Sequence, residues 1–416
     1  MFFRQYDLGC LSLFSYLVGD RSTGRAVVVD PRRDVSQYLA DADAGLGDVV
    51  LEVRATPGHT PESVSIVIWE HAADEAPWGV LTGDALFIGD VGRPDLLASS
   101  GWTADALARR LYRSLHEQLL TLPDGTQVFP AHGAGSACGR HMSSACSSTI
   151  GEQRIANHAL APAGEDAFVD AVLGGQSAVP PYFPSAAAAN RSAHGLLDDS
   201  ERPPVLGVGR VLELQAAGAA VVDGRSPEAF ASGHLRGSLH VGLDGRFAEH
   251  AGAVVRPDRP IVVVVEPGRE TEAKVRLARI GFDRVIECLP RVEQVLVEEP
   301  SLARSASRVG VDDLAAWASG DQDLQLVDVR SAAEREAGVI AGAQPIPMTQ
   351  LLELVATLDP DRPTVVYCAS GQRSSVAASL LRAAGFARVA DLLGGFGAWS
   401  AAGRPVADDD PGKSSP

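Results

Sequence analysis

Cys368 stands at a position that suits nucleophilic chemistry. It ends the apolar run 364–367 and precedes a helical pattern over residues 374–383. A thiol between the end of a strand and the N-terminus of a helix faces unpaired backbone N–H groups and the positive end of the helix dipole, which stabilise a thiolate. The intervening residues are Ala369, Ser370, Gly371, Gln372 and Arg373. A small buried thiol that ends a core strand is the alternative, but this polar segment and the charge of Arg373 favour a reactive thiolate.

The spacing of Cys368 and Arg373 resembles the active-site loop of the rhodanese family of sulfurtransferases, in which a cysteine carries a sulfane sulfur as a persulfide. Cys-dependent phosphatases have a longer segment between their cysteine and arginine, and the tighter loop here suits a sulfur atom better than a phosphate. A strand pattern at 326–330 and the glycine-rich segment 394–399 extend the resemblance. Residues 308–406 are therefore expected to form an active rhodanese domain.

An internal repeat precedes this domain. Residues 258–265 align with residues 361–368, since both begin with Asp-Arg-Pro and continue as an apolar run, so Val265 occupies the position of Cys368. Residues 205–300 thus resemble a second rhodanese domain that has no nucleophile, and the charge of Glu266 would repel anionic substrates. We expect this copy to be a packing or docking module, with Cys288 as a structural thiol.

The composition indicates a multidomain globular protein. With 416 residues and 45% hydrophobic content, the chain has room for about three domains. Its formal net charge of -17 works against nucleic acids and anionic membranes as partners, because both need basic patches. Five scattered cysteines suggest no disulfide framework and fit a reducing compartment. No signal peptide or membrane span is expected, which favours the cytoplasm, whereas the oligomeric state stays open.

Residues 1–198 are expected to form the remaining domain. A hairpin is predicted within residues 11–29 and a short helix over 35–44. Three apolar strand patterns then end in residues that bind metals, namely His59, Asp84 and His132. Because successive strands can end at one edge of a sheet, these side chains are expected to converge there.

The strings Thr-Pro-Gly-His59, Thr-Gly-Asp84 and Pro-Ala-His132 resemble the metallo-β-lactamase fold, and within it the persulfide dioxygenases, which use one iron to oxidise glutathione persulfide to sulfite. The resemblance implies an αβ/βα sandwich in which His59 and Asp84 are iron ligands and Arg93 lies near the glutathione. It also implies that His132 corresponds to a ligand of the second metal in dinuclear relatives.

One departure from this family concerns the iron. Its third ligand comes from a His-x-His-x-Asp-His motif, and the chain contains no His-x-His at all; the segment that should carry it is deleted near residue 44. Two ligands then remain where three are needed. His132 would complete a two-histidine, one-carboxylate set only by moving from its neighbouring half-site. The alternative is that the three residues are remnants of an active ancestor.

Two other cysteines are weaker candidates. Cys138 lies in a Gly/Ser-rich loop after His132. Its two interpretations are a persulfide carrier and an ordinary free thiol. Cys10 lies in a strand pattern and is expected in the core.

These observations predict an α/β protein: a truncated metallo-β-lactamase sandwich followed by an inactive and an active rhodanese domain, both with parallel sheets. The expected function is sulfane-sulfur transfer through Cys368, loaded by thiosulfate or glutathione persulfide and unloaded by a thiol or cyanide. A working iron-dependent glutathione persulfide dioxygenase fusion is one alternative. A non-catalytic, sulfide-responsive scaffold is the other.

Overall fold

A computed structural model describes residues 1–20, 25–42, 49–96, 101–176, 178–191, 197–320 and 323–409. The chain divides into two compact units, Met1–Val179 and Pro180–Pro416. The domain boundaries expected at 198, 205, 300, 308 and 406 stay predictions. The deletion expected near residue 44 falls on a segment outside the described residues.

The first unit begins with a hairpin-rich region and alternates strands with helices thereafter. Its strands are β1 Phe2–Leu8, β2 Leu13–Asp20, β3 Arg25–Val29, β4 Val50–Ala55, β5 Val64–Trp69, β6 Gly79–Gly83, β7 Gln127–Pro130 and β8 Ser148–Thr149. Its helices are α1 Ser36–Ala42, α2 Ala104–Ser114, α3 Ile150–Ala156 and α4 Glu165–Leu173, and a π-helical turn, Leu115–Leu119, continues α2.

Two sheets form the centre of the first unit. One is antiparallel with the order β1-β2-β3, and the other has the order β4-β5-β6-β7-β8, with only β6 and β7 parallel. Adjacent residues of one strand point to opposite faces. Ile68, Leu81 and Phe129 therefore pack with β2, whereas their neighbours Val67 and Val80 pack with helices α2 and α4. Apolar burial on both faces of the larger sheet holds this unit together.

The larger sheet also aligns the expected metal-binding residues. Strands β4 and β6 are both antiparallel to β5, and β7 is parallel to β6, so all three end at the same edge. His59, Asp84 and His132 follow these three ends.

The second unit contains two parallel sheets with helices between their strands. Its strands are β9 Ala220–Asp223, β10 His234–Leu235, β11 Leu239–His240, β12 Ile261–Val264, β13 Val285–Cys288, β14 Ala303–Arg304, β15 Ser307–Val309, β16 Gln325–Asp328, β17 Gln344–Pro345, β18 Thr364–Tyr367 and β19 Val389–Leu392. Its helices are α5 Phe183–Asn190, α6 Val208–Ala216, α7 Pro227–Ser232, α8 Phe247–Val254, α9 Glu270–Ala278, α10 Val292–Glu298, α11 Val311–Gly320, α12 Ala332–Arg335, α13 Met348–Leu354, α14 Gln372–Ala383 and α15 Gly395–Ala401.

The two sheets repeat one topology. Their orders are β11-β9-β12-β13 and β17-β16-β18-β19-β15, and all neighbouring pairs within them are parallel. The repeat extends to buried ion pairs, because Asp223 pairs with Arg225 at 2.6 Å and Asp328 pairs with Arg330 at 2.7 Å. The structure therefore supports the repeat read from the sequence down to individual side chains.

Several sequence expectations can be compared with these elements. The predicted hairpin is confirmed by the antiparallel pairing of β2 and β3. The expectation for Cys10 is wrong, since it lies half-buried in the turn between β1 and β2, where the Leu8–Leu13 pair closes the hairpin. Gln372 and Arg373 belong to the first turn of α14 rather than to a loop. No helix among the described residues is long and apolar enough to span a membrane.

Candidate functional site

Cys368 lies buried at the junction of β18 and α14. The N-cap of α14 is Gly371, which adopts a left-handed backbone with φ of 94°. This conformation directs the N–H of Gly371 at the thiol, and its nitrogen lies 3.1 Å from Cys368 Sγ. Ser374 Oγ lies 3.6 Å from the same sulfur. The sulfur therefore has one fixed backbone donor and the N-terminus of a long helix beside it, the environment that stabilises a thiolate.

The glycine-rich segment after β19 supports the cysteine loop from behind. The carbonyl of Cys368 accepts a hydrogen bond from the N–H of Phe396 at 2.7 Å, and the carbonyl of Ala369 accepts one from Gly397 at 2.9 Å. A Cβ atom at Gly395 would overlap the carbonyl oxygen of Cys368, and its φ is 58°. Only glycine fits this position without strain. On the other side of the loop, Ser370 and Gln372 are exposed and Ala369 is half-buried, so the loop faces solvent.

Arg373 is tied to a carboxylate beside the cysteine. Its guanidinium bonds both oxygens of Glu334, with Nη1 at 2.8 Å from Oε2. Glu334 also closes the capping box of α12 with Ser331. Burial raises the pKa of Glu334, but the ion pair with Arg373 and the bonds from Ser331 outweigh it and lower this pKa to about 2. Arg373 is therefore half of a partly buried ion pair rather than an unpaired charge beside the thiol.

The first copy has the same loop with the charge reversed. Val265 is buried at the position of Cys368, and Gly268 has a φ of 98°, close to that of Gly371. Its N–H, however, donates to the carboxylate of Glu270 at 3.0 Å, and Glu270 occupies the position of Arg373 at the same repeat offset. Glu270 was missed by sequence reasoning, although the alignment that identified Val265 extends to it.

Cys288 fits its expected structural role. Its thiol is buried and donates to the carbonyl of Pro203 at 3.4 Å. Burial raises the pKa of Cys288 to about 11, and the charge of Glu270 acts in the same direction. A thiol of this kind stays protonated at neutral pH and is a poor nucleophile.

The first copy packs directly against the helix that starts at the active loop. Helix α8 contacts α13 and α14. The N–H of His240 donates to Ser379 Oγ at 2.9 Å, and its Nδ1 lies 2.9 Å from Ser375 Oγ. Burial, followed by the charge of Arg373, lowers the pKa of His250 on α8 to about 4. These contacts support the expected packing role of the first copy.

The three residues expected at a metal site do converge in the first unit. Asp84 lies between the two histidines, with Oδ2 at 3.9 Å from His59 Nε2 and Oδ1 at 3.3 Å from His132 Nε2. Burial lowers the pKa of His132, but the charges of Asp84 and Cys138 outweigh it and raise this pKa to about 10. Arg93 is fully buried, and its side chain makes a two-point ion pair with Asp95.

The donor set does not fit the iron site that the resemblance implies. Among the described residues, the compact group of ligand atoms comes from His59, Asp84 and Cys138, whereas His132 approaches the other carboxylate oxygen. Non-haem iron oxygenases use two histidines and one carboxylate on one face of the metal. A thiol in place of the second histidine is a different donor set, and sequence reasoning did not consider Cys138 as a metal ligand.

Comparisons with known proteins match both parts of this architecture. The family model of the rhodanese-like domain matches residues 208–288 and 311–402. A sulfurtransferase of Allochromatium vinosum is 39% identical over 85 residues, which are 20% of this chain and 79% of that protein. The human mitochondrial persulfide dioxygenase ETHE1 is 34% identical over 125 residues, which are 30% of this chain and 39% of that protein.

One solved structure resembles most of the chain. It is a metallo-beta-lactamase from Staphylococcus aureus with a TM-score of 0.63 and 28% sequence identity, covering 70% of this chain and 99% of that one. By contrast, the chain spans well under half the length of the persulfide dioxygenase that it matches.

Proposed function

Because this chain belongs to the rhodanese-like family and joins two rhodanese-like domains to a persulfide-dioxygenase-like part of metallo-β-lactamase fold, we propose that it transfers sulfane sulfur through Cys368. The expected α/β fold class is confirmed by these relatives. The matches also support a sulfurtransferase-type enzyme that acts on sulfur compounds. The proposal adds the identity of the reactive cysteine, the sulfur donor and the sulfur acceptor.

The single observation that carries the proposal is the hydrogen bond from the Gly371 N–H to Cys368 Sγ at 3.1 Å. This donor and the N-terminus of α14 stabilise the thiolate, which attacks the outer sulfur of thiosulfate. The new S–S bond forms on Cys368, and sulfite leaves with the electron pair of the broken bond. A thiol or cyanide then attacks the outer sulfur of the persulfide, and the Cys368 thiolate leaves.

The exposed side of the loop supports small, anionic donors. Ser370 and Gln372 are open to solvent, and Arg373 supplies the nearby positive charge. Glutathione persulfide and thiosulfate both meet this description, because each presents a terminal sulfur on an anionic molecule. In the first copy Glu270 stands where Arg373 does, so we assign no turnover to that copy.

The persulfide-dioxygenase-like part is proposed to have little iron-dependent dioxygenase activity in this chain. The compact ligand group contains Cys138 rather than a second histidine, so no reaction step is assigned to iron. Oxygen uptake with glutathione persulfide, measured on protein produced in iron-supplemented medium, is expected to be slow. Rapid uptake together with one iron per chain would contradict this part of the proposal.

The test of sulfur transfer compares two cysteine variants. Cys368→Ser is expected to abolish the thiosulfate-to-cyanide reaction, because it removes the only nucleophile at this loop. Cys288→Ser is the matched control, since it removes the buried thiol of the other copy, and it should retain the reaction. Turnover in Cys368→Ser at the rate of the unchanged protein would overturn the assignment.

A further inference from the structure

A side-chain cluster in the first unit holds three metal-binding atoms that sulfur transfer at Cys368 does not use. One ring nitrogen of His59, one carboxylate oxygen of Asp84 and Sγ of Cys138 lie within 4.8 Å of one another. His59 and Cys138 are buried, and Asp84 is half-buried. The three residues come from separate loops at one edge of the larger sheet, so only the fold brings them together.

The backbone of Arg93 positions two of these three residues. Its carbonyl oxygen lies 2.9 Å from His59 Nδ1, and because a carbonyl only accepts, Nδ1 carries the proton. The other ring nitrogen, Nε2, is thereby left with its lone pair facing Asp84. The N–H of Arg93 donates to the carbonyl of Cys138 at 3.0 Å. The backbone N–H and carbonyl of this one residue therefore fix the loop of the thiol and hold His59 in the tautomer that can bind a metal.

Asp84 presents an oxygen that lacks a hydrogen-bond donor. Its Oδ1 is buried without one among the described residues. His132 Nε2 lies 3.3 Å from this oxygen, and His132 Nδ1 lies 3.0 Å from the carbonyl oxygen of Ser12, to which it donates. Buried polar atoms normally have partners, and a cation beside this carboxylate would supply one.

We propose that His59, Asp84 and Cys138 bind a thiophilic divalent cation, zinc above iron, with the Cys138 thiolate as the third protein ligand. Binding converts the Cys138 thiol to a thiolate and releases its proton to solvent. A nitrogen, oxygen and sulfur donor set is typical of zinc, and three protein ligands leave one position open. This inference is independent of the sulfur transfer proposed at Cys368.

The geometry needs only small adjustments to hold such an ion. Zinc with tetrahedral bonds of about 2.0–2.3 Å places its ligand atoms about 3.3–3.8 Å apart. His59 Nε2 and Asp84 Oδ2 are already 3.9 Å apart. The choice of metal follows from the donors, because Zn²⁺ binds a given site more tightly than Fe²⁺ and a thiolate adds to that preference.

The experiment uses Co²⁺ as a spectroscopic substitute for Zn²⁺ in the full chain, after removal of bound metal by a chelator. Titration should reach one equivalent and produce a near-ultraviolet thiolate-to-cobalt absorption, which added Zn²⁺ abolishes by displacement. Cys138→Ser should lose this absorption. It should also weaken Co²⁺ binding by at least about 10–100-fold, because loss of a group that only hydrogen-bonds to a metal ligand already has an effect of that size.

Two further variants separate the site from general effects. Cys146→Ser removes an exposed thiol of the same loop region and should leave both absorption and affinity unchanged. Cys138→His should bind one equivalent of Co²⁺ without the thiolate absorption. That result would show that the substitution changes the metal ligand and leaves the fold intact. The proposal is overturned by unchanged absorption and affinity in Cys138→Ser, or by a preference of the unchanged protein for Fe²⁺ over Zn²⁺. Thiosulfate turnover in these variants should be normal, so failure here and failure at Cys368 are distinguishable.

Discussion

Arg373 is joined to Glu334 by two hydrogen bonds, so the positive charge beside Cys368 is paired with a carboxylate within the same domain. The pair is partly buried, with 27% and 34% of the two side chains exposed. A donor anion that binds at this loop must therefore compete with Glu334 for the guanidinium. This arrangement changes what substitution of Arg373 is expected to do.

Arg373→Ala is expected to lower kcat/KM for thiosulfate by about 10–100-fold, because a hydrogen bond to a charged group contributes about 1.5–3 kcal/mol. Part of the loss comes from Glu334, which is left unpaired and repels the anion. The double variant Arg373→Ala/Glu334→Gln should therefore recover some activity. Steady-state kinetics of the three proteins test this. A double variant no better than Arg373→Ala would show that the carboxylate plays no part.

Glu334 should also make stability depend on pH in the acid range. Its pKa is lowered from 4.5 in the unfolded chain to about 2 in the fold. The ion pair therefore contributes its full stabilisation above about pH 4.5 and loses it as the pH falls towards about 2. Glu334→Gln should cost about 1 kcal/mol at neutral pH, since the pair is partly screened by solvent. That difference from the unchanged protein, measured by denaturant unfolding, should shrink towards zero near pH 2.

A nucleophile introduced into the first copy tests the reversed charge at Glu270. In a Cys368→Ser background, Val265→Cys should give little turnover, because the Gly268 N–H is bonded to the Glu270 carboxylate. Adding Glu270→Gln should lower the pKa of the introduced thiol more than adding Glu266→Ala does. Glu266 is exposed and screened by water, whereas Glu270 is buried.

The readout for this comparison is the pH dependence of alkylation of the introduced thiol. It reports the thiolate fraction without requiring turnover. Equal pKa values in the Glu266→Ala and Glu270→Gln backgrounds would contradict the role assigned to Glu270.

Gly395 should be intolerant of a side chain. Gly395→Ala places a methyl group against the carbonyl of Cys368 and forces a left-handed alanine. Gly403→Ala is the matched control, since Gly403 has a φ of 66° with open space around its Cβ position. In both variants, the left-handed backbone conformation of the new alanine lowers the free energy of unfolding by about 1 kcal/mol.

Only Gly395→Ala adds an overpacking cost, which lowers the free energy of unfolding by about 1–3 kcal/mol more. Only this variant is expected to lose sulfur transfer as well. Thermal unfolding and thiosulfate turnover measure the two effects. Equal destabilisation by the two alanines, with activity retained, would show that the loop tolerates the methyl group.

The sequence by itself determined the parts that depend on neighbouring residues. The apolar run before Cys368, the small residues after it and the offset that relates it to Val265 are all local patterns. They sufficed to locate the loop, the repeat and the copy without a nucleophile. The hairpin of β2 and β3 was likewise predictable, whereas Cys10 was misplaced because alternating apolar residues do not show where a turn begins.

Only the tertiary structure decided which distant side chains meet. Glu334 reaches Arg373 because α12 and α14 follow the ends of the parallel neighbours β16 and β18, and no spacing in the sequence specifies that contact. Cys138 joins His59 and Asp84 for the same reason, since three loops far apart in the chain end at one sheet edge. Ion pairs and metal-binding clusters depend on distances of a few ångström between such loops, and those distances follow from packing rather than from local sequence.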